Sequence, residues 1–372
     1  MKRLRPVRHR RAGIRCRVPD PMAGRRPQVT GFSNAFCTHL LFRIMSSPPT
    51  LGIDLGGTKV EAALVDAAGR VLRSHRHPTN AEHGPDRVID DIVDCVIECL
   101  AGAPHQAAAA GIGVAGQVDA EAGLVRTAPN LNWTDVALQS RLEAALNLPV
   151  TVANDVRAIT WGVWQHGAGR GADDLVVIFV GTGIGGGVVS GGEVLDGHQG
   201  LAGELGHLPI VPFGRSCHCP NHGCWEAYAG GWAIAERAQN AVRAHPEAGA
   251  ALRERAGTVA NITGRTVHAA CDDGDPLATD LVEATGEYLG IGMIGIVNAF
   301  NPERIVLGGG VIEGHPDYVG TVQGIVEKRA LRVATEGLEI VRAELGGQAG
   351  VVGAATMARR RSDIPGAVPS DP

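Results

Sequence analysis

Aromatic residues are scarce in this chain: phenylalanine, tryptophan and tyrosine together make up 4% of its 372 residues. Hydrophobic residues of all kinds still reach 44%, which is enough to form a large core. The 52 glycines indicate many tight turns. This composition predicts an α/β protein rather than a disordered chain, and the length suits one two-lobed enzyme or two ordinary domains.

The sequence also lacks long apolar runs, and over most of its length it has fewer basic than acidic residues. No run of about 18 apolar residues occurs, so we predict no membrane-spanning helix and no membrane partner. Residues 1–48 hold eleven lysines and arginines but a single acid, which leaves the rest of the chain with a net charge near −15. Because phosphates would repel so acidic a body, we expect no nucleic-acid partner.

The basic segment 1–48 lacks the apolar stretch and small-residue cleavage site of a secretion signal. We interpret it as a disordered leader or as sequence upstream of a true start at Met45; a nucleic-acid arm or a targeting peptide is the alternative. Residues 362–372 are polar and proline-rich, which predicts a loose tail. Eight cysteines without a regular framework indicate a reducing compartment, and hence a cytoplasmic protein.

Strand and helix patterns alternate along the rest of the chain, which predicts the α/β class. The predicted strands are residues 51–55, 59–65, 70–75, 108–114, 149–153, 175–180, 185–190, 304–307 and 339–342. The predicted helices are residues 86–100, 138–146, 156–165, 225–245, 276–299, 318–330 and 350–361. Glycine-rich turns near residues 56 and 183 each join two strands, which suggests two related lobes.

Three glycine-rich segments are candidate phosphate or nucleotide sites. Glycine lets backbone N–H groups approach a phosphate closely, and a carboxylate at the end of a buried strand is costly unless it is paired or linked to a metal. The segments are Asp54-Leu-Gly56-Gly57-Thr58-Lys59, Gly181-Thr182-Gly183-Ile-Gly-Gly-Gly187 and Gly308-Gly309-Gly310. The second segment is not a Walker A loop, because no Gly-Lys-Ser/Thr ends it, and it departs from a dinucleotide-binding fingerprint because no helix pattern follows it. Ordinary hairpins are the alternative.

A carboxylate at a strand-to-helix junction is the candidate general base. Asn154-Asp155 ends one predicted strand and precedes a helix, whose dipole favours the ionised carboxylate. An ionised carboxylate in this place can accept the proton of a hydroxyl group. The alternative is that Asp155 is an ordinary N-cap of the helix.

The segment His207-x₉-Cys217-x-Cys219-x₄-Cys224 has the residue types and spacing of a tetrahedral zinc site. Four protein ligands would leave no open position, so this zinc would be structural. His218 and His222 are rival ligands. The zinc would also bring Glu204 and Glu226 near one place, where their carboxylates could accept hydrogen bonds from sugar hydroxyls; Glu226 is alternatively an ordinary first-turn acid of the following helix.

Taken together, the motifs resemble those of the ROK sugar kinases, a family with the two-lobed actin-like ATPase fold. The resemblance covers residues 50 to about 360. Its motifs are Asp54-Leu-Gly-Gly-Thr-Lys59, Gly113-Val-Ala-Gly116, Pro129-Asn-Leu-Asn-Trp133, Asn154-Asp155, Gly181-Thr-Gly-Ile-Gly185, Glu204-Leu-Gly-His207 and Cys217-x-Cys219-x₄-Cys224-x-Glu226.

The resemblance implies a role for each candidate residue. Asp155 would be the general base, and His207 would bind zinc through one nitrogen and face the sugar with the other. The implied sugar contacts are Gly116, Asn154, Asp155, Glu204, His207 and Glu226. The implied phosphate and magnesium site comprises Asp54, Gly56, Gly57, Thr58, Lys59, Thr182 and Gly183, while Gly308, Gly309 and Gly310 would line the adenosine.

The resemblance also predicts the organisation and the activity. Residues 50–128 with 346–361 would form a small lobe, and residues 129–345 a large lobe that carries the zinc loop. The expected activity is transfer of the γ-phosphoryl group of ATP, with Mg²⁺, to O6 of glucose by a homodimer. An N-acetylhexosamine, mannose or fructose kinase is the alternative within this class, and a sugar-sensing regulator without catalysis is the alternative outside it.

Three positions depart from the pattern of the family. Cys219 is followed by Pro220 where relatives have glycine, so the zinc loop must bend differently. Arg157 stands within Val-Arg-Ala where relatives often read Ala-Asn-Ala, and Val163 falls near the place of a further acid. These departures leave the predicted base unchanged but bear on the identity of the sugar.

Overall fold

The structure, a computed structural model, describes residues 47–362. The predicted leader and tail therefore lie outside the described residues except at their inner ends. The strands are β1 (Thr50–Leu55), β2 (Lys59–Val65), β3 (Val71–Pro78), β4 (Ala110–Val114), β5 (Gln117–Asp119), β6 (Leu124–Ala128), β7 (Trp133–Val136), β8 (Val150–Asn154), β9 (Leu175–Val180), β10 (Ile184–Ser190), β11 (Glu193–Val194), β12 (Arg304–Gly308) and β13 (Glu339–Arg342).

The α-helices are α1 (Gly84–Leu100), α2 (Leu138–Leu146), α3 (Asp155–His166), α4 (Glu226–Ala229), α5 (Gly231–Ala244), α6 (Ala250–Ala256), α7 (Gly264–Asp272), α8 (Pro276–Phe300), α9 (Gly310–Gly314), α10 (Tyr318–Arg329), α11 (Arg332–Thr335) and α12 (Ala349–Arg361). Within residues 47–362, no helix is both long enough and apolar enough to cross a bilayer.

Two five-stranded sheets share one topology. The first has the order β3-β2-β1-β4-β8 and the second the order β11-β10-β9-β12-β13. In each sheet the first three strands are antiparallel and the last two run parallel to the central strand. The two strand pairs joined by the glycine-rich turns thus belong to two sheets of equivalent strand order.

Each sheet has its own apolar core. The core of the first sheet includes residues from β1, β2, β4, β8, α1 and α2, and that of the second includes residues from β9, β12, α5, α8 and α10. Strand β8 lies beyond residue 128, the predicted end of the small lobe, but it belongs to the first sheet because it pairs in parallel with β4. The division into lobes stays a prediction.

Helices α3 and α12 cross at a pair of glycines. A Cβ atom on Gly353 would lie 1.6 Å from the carbonyl oxygen of Ala158, and one on Gly162 would lie 2.6 Å from that of Ala349. The two helix backbones can therefore come this close only without side chains at the crossing. This contact holds α3, which begins at Asp155, against the first sheet.

We expect Gly353→Ala to destabilise the protein strongly. The new methyl group would collide with backbone atoms that cannot rotate away, at a cost of about 3 kcal/mol or more. Gly320→Ala is the matched control, because it lies in helix α10 with open space around it and should raise stability slightly. Thermal melts of both variants test this, and equal melting temperatures would contradict it.

Most of the predicted strands and helices are confirmed within a few residues. The prediction of one helix over residues 225–245 is wrong, because the chain breaks at Gly230, which is extended (φ −67°, ψ 153°). The break lets the N–H of Gly231 donate to the carbonyl of Gly181 (3.0 Å). The small sheet β5-β6-β7 was not predicted.

Candidate active site

The carboxyl ends of three parallel strands bring the predicted acids together. In the register of the first sheet, Asp54 of β1 lies beside Gly113 of β4, which lies beside Ala153 of β8. Asn154 and Asp155 follow directly on β8. Asp54 and Asp155, a hundred residues apart in sequence, therefore meet at one edge of the sheet.

Asn154, rather than Asp155, is the N-cap of helix α3. Its Oδ1 accepts hydrogen bonds from the backbone N–H groups of Val156 (2.9 Å) and Arg157 (3.2 Å). Its Nδ2 donates to the carbonyl oxygen of Gly116 (3.1 Å). Asn154 thus holds the start of the helix and the Gly116 backbone in one arrangement, and the alternative reading of Asp155 as the cap is excluded.

The two acids at this edge both have raised pKa values. Burial raises the pKa of Asp155, although the N–H of Val156 (2.9 Å) partly opposes this by donating to its Oδ1. Burial first, and then the charges of Asp155 and Glu61, raise the pKa of Asp54 to about 6. An edge that holds excess negative charge is suited to a cation.

We expect Asp54→Asn to stabilise the protein in a pH-dependent way. The pKa of Asp54 is about 6 in the fold against 3.8 for the free group, so ionisation destabilises the fold as pH rises from about 4 to 6. The gain above pH 6 is at most about 3 kcal/mol. Melts at pH 4.5 and 7.5 without Mg²⁺ or ATP test this, with exposed Asp280→Asn as control. A gain equal at both pH values would contradict it.

The turn between β9 and β10 is held by Glu226. The backbone N–H of Ile184 donates to Glu226 Oε2 (2.9 Å), and the indole N–H of Trp232 donates to Oε1 (3.1 Å). A Cβ atom on Gly183 would lie 2.2 Å from the same Oε2, so a side chain at this position would displace the Glu226 carboxylate. Both carboxylate oxygens of the predicted sugar contact Glu226 thus already bind protein donors, one of them on the glycine-rich turn.

The first glycine turn packs on the segment that follows β6. The turn is closed by a hydrogen bond from the N–H of Gly56 to the carbonyl of Lys59 (3.0 Å). A Cβ atom on Gly57 would lie 2.6 Å from the carbonyl oxygen of Asn130. Thr58 and Lys59 are exposed. Their donors are therefore free to meet a ligand from solvent.

The third glycine segment lies beside the second. Gly308 of β12 pairs with Phe179 of β9, so the turns that follow these two strands share an edge. Gly309 has φ +93°, and its Cβ would lie 2.5 Å from the carbonyl of Val180. Gly310 begins helix α9. The three glycines thus connect β12 to α9 next to the turn that follows β9.

The four predicted zinc ligands converge. One donor atom from each of His207, Cys217, Cys219 and Cys224 lies within 4.8 Å of all the others. Cys219 Sγ and Cys224 Sγ are 3.6 Å apart, and His207 Nδ1 is 3.6 Å from Cys217 Sγ. A tetrahedral zinc with bonds of about 2.3 Å requires sulfur atoms about 3.8 Å apart. The soft donors and their spacing therefore fit a structural zinc.

The rival ligands are not part of this cluster. His218 stacks on Trp232, with ring centroids 4.1 Å apart, and His222 is exposed. His207 presents Nδ1 to the cysteines while its Nε2 is 4.0 Å from Glu204 Oε2. The predicted double use of His207, with one nitrogen for metal and one toward the cleft, is therefore compatible with the ring's orientation.

A cavity of about 700 Å³ joins these groups. Its wall includes Gly116, Asn154, Asp155, Thr182, Gly183, Glu204, His207, Glu226 and Gly309 among the predicted residues. Asp54, Gly56, Gly57, Thr58, Lys59, Gly308 and Gly310 lie outside the wall of this cavity. Asp155 also raises the pKa of Glu204, after the larger effect of burial. The predicted base and the sugar-contact candidates therefore face one space.

Two of the three departures from the family pattern, Val163 and Pro220, lie outside the wall of the cavity. Val163 is fully buried and packs in the core with Trp164 and Leu175, away from the cavity. Pro220 is exposed in the loop that the N–H of Cys217 closes by donating to the carbonyl of Asn221 (3.2 Å).

Residues 50–361 match the family model of the ROK family. The chain belongs to the ROK family. It is 36% identical to a glucokinase of Streptomyces coelicolor over 321 residues, which cover 85% of this chain and 99% of the relative. A glucokinase of Thermotoga maritima is 32% identical over 312 residues, covering 84% and 97%. The resemblance inferred from the motifs is thereby confirmed.

A solved ROK structure has the same fold. The crystal structure of a ROK family glucokinase from Streptomyces griseus in complex with glucose and AMPPNP is 37% identical, with a TM-score of 0.71, and covers 84% of this chain and 99% of its own. The predicted fold class, a mixed α/β actin-like ATPase fold, is confirmed by this match.

Sequence reasoning missed three residues of this ROK site. Trp232 holds Glu226, Asn130 contacts the Gly57 turn, and Arg157 lines the cavity. Asn130 lay inside a recognised motif without a role, and Arg157 was noted only as a departure. No spacing signal marked Trp232, since its contact depends on the break at Gly230.

Proposed function

We propose that this ROK protein is an ATP-dependent kinase that phosphorylates a hexose, with O6 of glucose as the acceptor. One observation carries the proposal: Asp155 lines a single cavity together with the polar residues Asn154, Glu204 and His207 and with the glycine-rich turn at Thr182–Gly183. The glucokinase relatives at 32–36% identity support glucose as the acceptor.

Asp155 is placed to act as the general base. Its carboxylate follows β8 at the wall of the cavity, and burial raises its pKa, which makes it a stronger proton acceptor once ionised. Asn154, Glu204 and His207 would orient the sugar hydroxyls, and the Gly116 backbone would approach the sugar closely. Glu226 would support the sugar site while it holds the glycine-rich turn in place.

The glycine turns would bind the phosphates of ATP. The backbone of Gly56, Gly57, Thr182 and Gly183 and the donors of Thr58 and Lys59 would contact phosphate oxygens, while Gly308 to Gly310 would line the adenosine. Asp54, which is acidic and close to Asp155, would hold hydrated Mg²⁺. When bound, the magnesium ion supplies charge neutralisation for phosphoryl transfer.

The zinc ligands would have a structural role. His207, Cys217, Cys219 and Cys224 would hold Zn²⁺ with no open coordination position, so its contribution is to fix the loop that follows Glu204. We further propose that the protein is a cytoplasmic homodimer. The small lobe and the large lobe would close on the two substrates and exclude water from the reaction.

A coupled ADP-release assay tests this function. The protein would be supplied with ATP, Mg²⁺ and one sugar at a time: glucose, mannose, fructose, N-acetylglucosamine or N-acetylmannosamine. We expect the highest kcat/KM on glucose. A preference for an acetamido sugar would replace glucose by the alternative substrate class. Sugar binding without turnover on any of these sugars would contradict the kinase and favour a sugar-sensing regulator.

A further inference from the structure

A glycine-rich segment after β11 forms one wall of the cavity. We call residues 195–204 the cleft loop. Its cavity-lining members are Leu195, Gly200, Leu201, Ala202, Gly203 and Glu204. Gly197, Gly200 and Gly203 have φ values of +71°, +71° and +102°, and residues 195–199 are exposed. Such a segment has high conformational freedom and needs an anchor to keep one shape.

The backbone of the cleft loop gives it little support. Its first residue, Leu195, donates to the carbonyl of Val188 (2.8 Å). In the described part of the chain, residues 196–204 form backbone hydrogen bonds only with one another or with residues 205–207. One example is the bond from the N–H of Ala202 to the carbonyl oxygen of Asp196 (3.2 Å). At its C-terminal end Gly203 packs on β10, where a Cβ atom would lie 2.6 Å from the carbonyl oxygen of Gly186. Residues 196–202 therefore depend on side chains from elsewhere to fix them against the rest of the cavity.

Arg157 supplies this contact from helix α3. Its Nη2 donates to the carbonyl oxygens of Leu195 (3.4 Å), Asp196 (3.4 Å) and Gly200 (3.2 Å), and its Nη1 forms an ion pair with the Asp196 carboxylate. The side chain is only 12% exposed. A guanidinium stays charged in this setting, so its burial is favourable only while acceptor oxygens of the cleft loop accept hydrogen bonds from its N–H groups.

The position of Arg157 links the loop to the base. Its backbone N–H donates to Asn154 Oδ1 (3.2 Å) in the same helical turn that begins with Asp155. The cleft loop ends in Glu204, which the proposed function assigns to the sugar. The Arg157 side chain thus connects the first turn of α3, which carries the proposed base Asp155, to the cleft loop, which ends at the proposed sugar contact Glu204.

We propose that Arg157 is a positioning residue for the hexose: it holds the cleft loop against α3 and so fixes Glu204 and the loop wall relative to Asp155. This inference rests on the proposed kinase function for its kinetic consequence. The anchoring itself is independent of which sugar, or whether any sugar, is phosphorylated.

Hydrogen–deuterium exchange of the free protein tests the anchor directly. In Arg157→Ala, we expect peptides within residues 195–204 to exchange at least about tenfold faster, while peptides of β1 and β9 keep their wild-type rates. Arg304→Ala is the matched control. Arg304 also bonds two carbonyls and one carboxylate, those of Ala168, Arg170 and Glu339, but it lies outside the cavity wall.

Steady-state kinetics test the positioning role. For Arg157→Ala we expect KM for the hexose to rise about tenfold or more, with KM for ATP and kcat within about threefold of wild type. Arg157→Lys should restore part of the effect, since lysine keeps the charge but lacks the planar fork. Asp196→Asn alters only an exposed partner and should raise the hexose KM slightly, and its effect should not add to that of Arg157→Ala.

Wild-type exchange in the cleft loop of Arg157→Ala would overturn the anchor. Faster exchange with an unchanged hexose KM, or an equal rise in both KM values, would overturn the positioning role. If Arg157→Ala fails to fold, Arg157→Lys decides, because lysine cannot reproduce the contacts to three carbonyl oxygens, and wild-type values of this variant in both assays would overturn the proposal. If the wild type phosphorylates no sugar, the proposed function fails while the exchange result still decides the anchor.

Discussion

Asparagine in place of Asp155 should lower kcat by about 1,000-fold, while we expect the melting temperature and the affinity for the hexose to stay close to wild type. Asparagine has the shape of aspartate but cannot accept the proton of a sugar hydroxyl. Its amide oxygen can still accept the hydrogen bond from the N–H of Val156 (2.9 Å), so the start of helix α3 is preserved. The loss therefore falls on the chemical step rather than on folding or binding.

Three measurements separate these effects: coupled ADP release for kcat, calorimetric titration for the hexose, and a thermal melt. Asp275→Asn is the matched control, because Asp275 also stands at the start of a helix and caps α8 by accepting from Ala278 N–H (2.8 Å). That variant should keep wild-type kcat. A kcat for Asp155→Asn within a few-fold of wild type would remove Asp155 from the role of base.

The position of Asp155 at a strand end was predictable from sequence, whereas the charges around this site were not. A polar pair directly after the apolar strand β8 marks a strand end, and parallel strands end at a common edge. The local pattern marked each acid as a polar residue at a strand end, and only the resemblance to the ROK kinases assigned Asp54 and Asp155 to one active site. The raised pKa of Asp54 depends on Glu61 and Asp155, which only the pairing of β1 with β2 and β4 brings near.

The contacts that support the site come from distant elements and left no local signal. The indole of Trp232 reaches Glu226 across the break at Gly230 in the helix predicted over residues 225–245, and helical periodicity cannot reveal such a break. Arg157 reaches a loop about forty residues further along the chain. A side chain's partner across the fold depends on packing, so these roles required the structure.

The zinc cluster is the opposite case, because its three cysteines lie within eight residues and the ligand pattern is local. The structure adds the selection of His207 over His218 and His222, since His218 stacks on Trp232 instead. It also shows that Gly206 packs on Ile184, where a Cβ atom would lie 2.1 Å from the carbonyl oxygen. The zinc loop therefore abuts the glycine-rich turn as well as Glu204.

Serine in place of Cys219 should abolish bound zinc and lower the melting temperature by about 10 °C or more. The remaining thiols, Cys217 and Cys224, would be left close together without a metal to hold them, and burial already raises the pKa of Cys224 to about 12. Loss of the metal would release the segment that carries His207 and Glu204. We therefore also expect a higher KM for the hexose.

Metal analysis of the purified protein, with a thermal melt of each variant, tests the ligand set. Cys271→Ser is the matched control, because Cys271 is a half-buried thiol outside the cluster, with its Sγ 3.8 Å from Thr279 Oγ1. It and His222→Ala should keep one zinc per chain, whereas His207→Ala should lose it. Full zinc content and an unchanged melting point in Cys219→Ser would remove that residue from the ligands. Zinc lost from His222→Ala but kept in His207→Ala would move the fourth ligand to the exposed histidine, and the orientation of His207 toward Glu204 would then have to arise from packing alone.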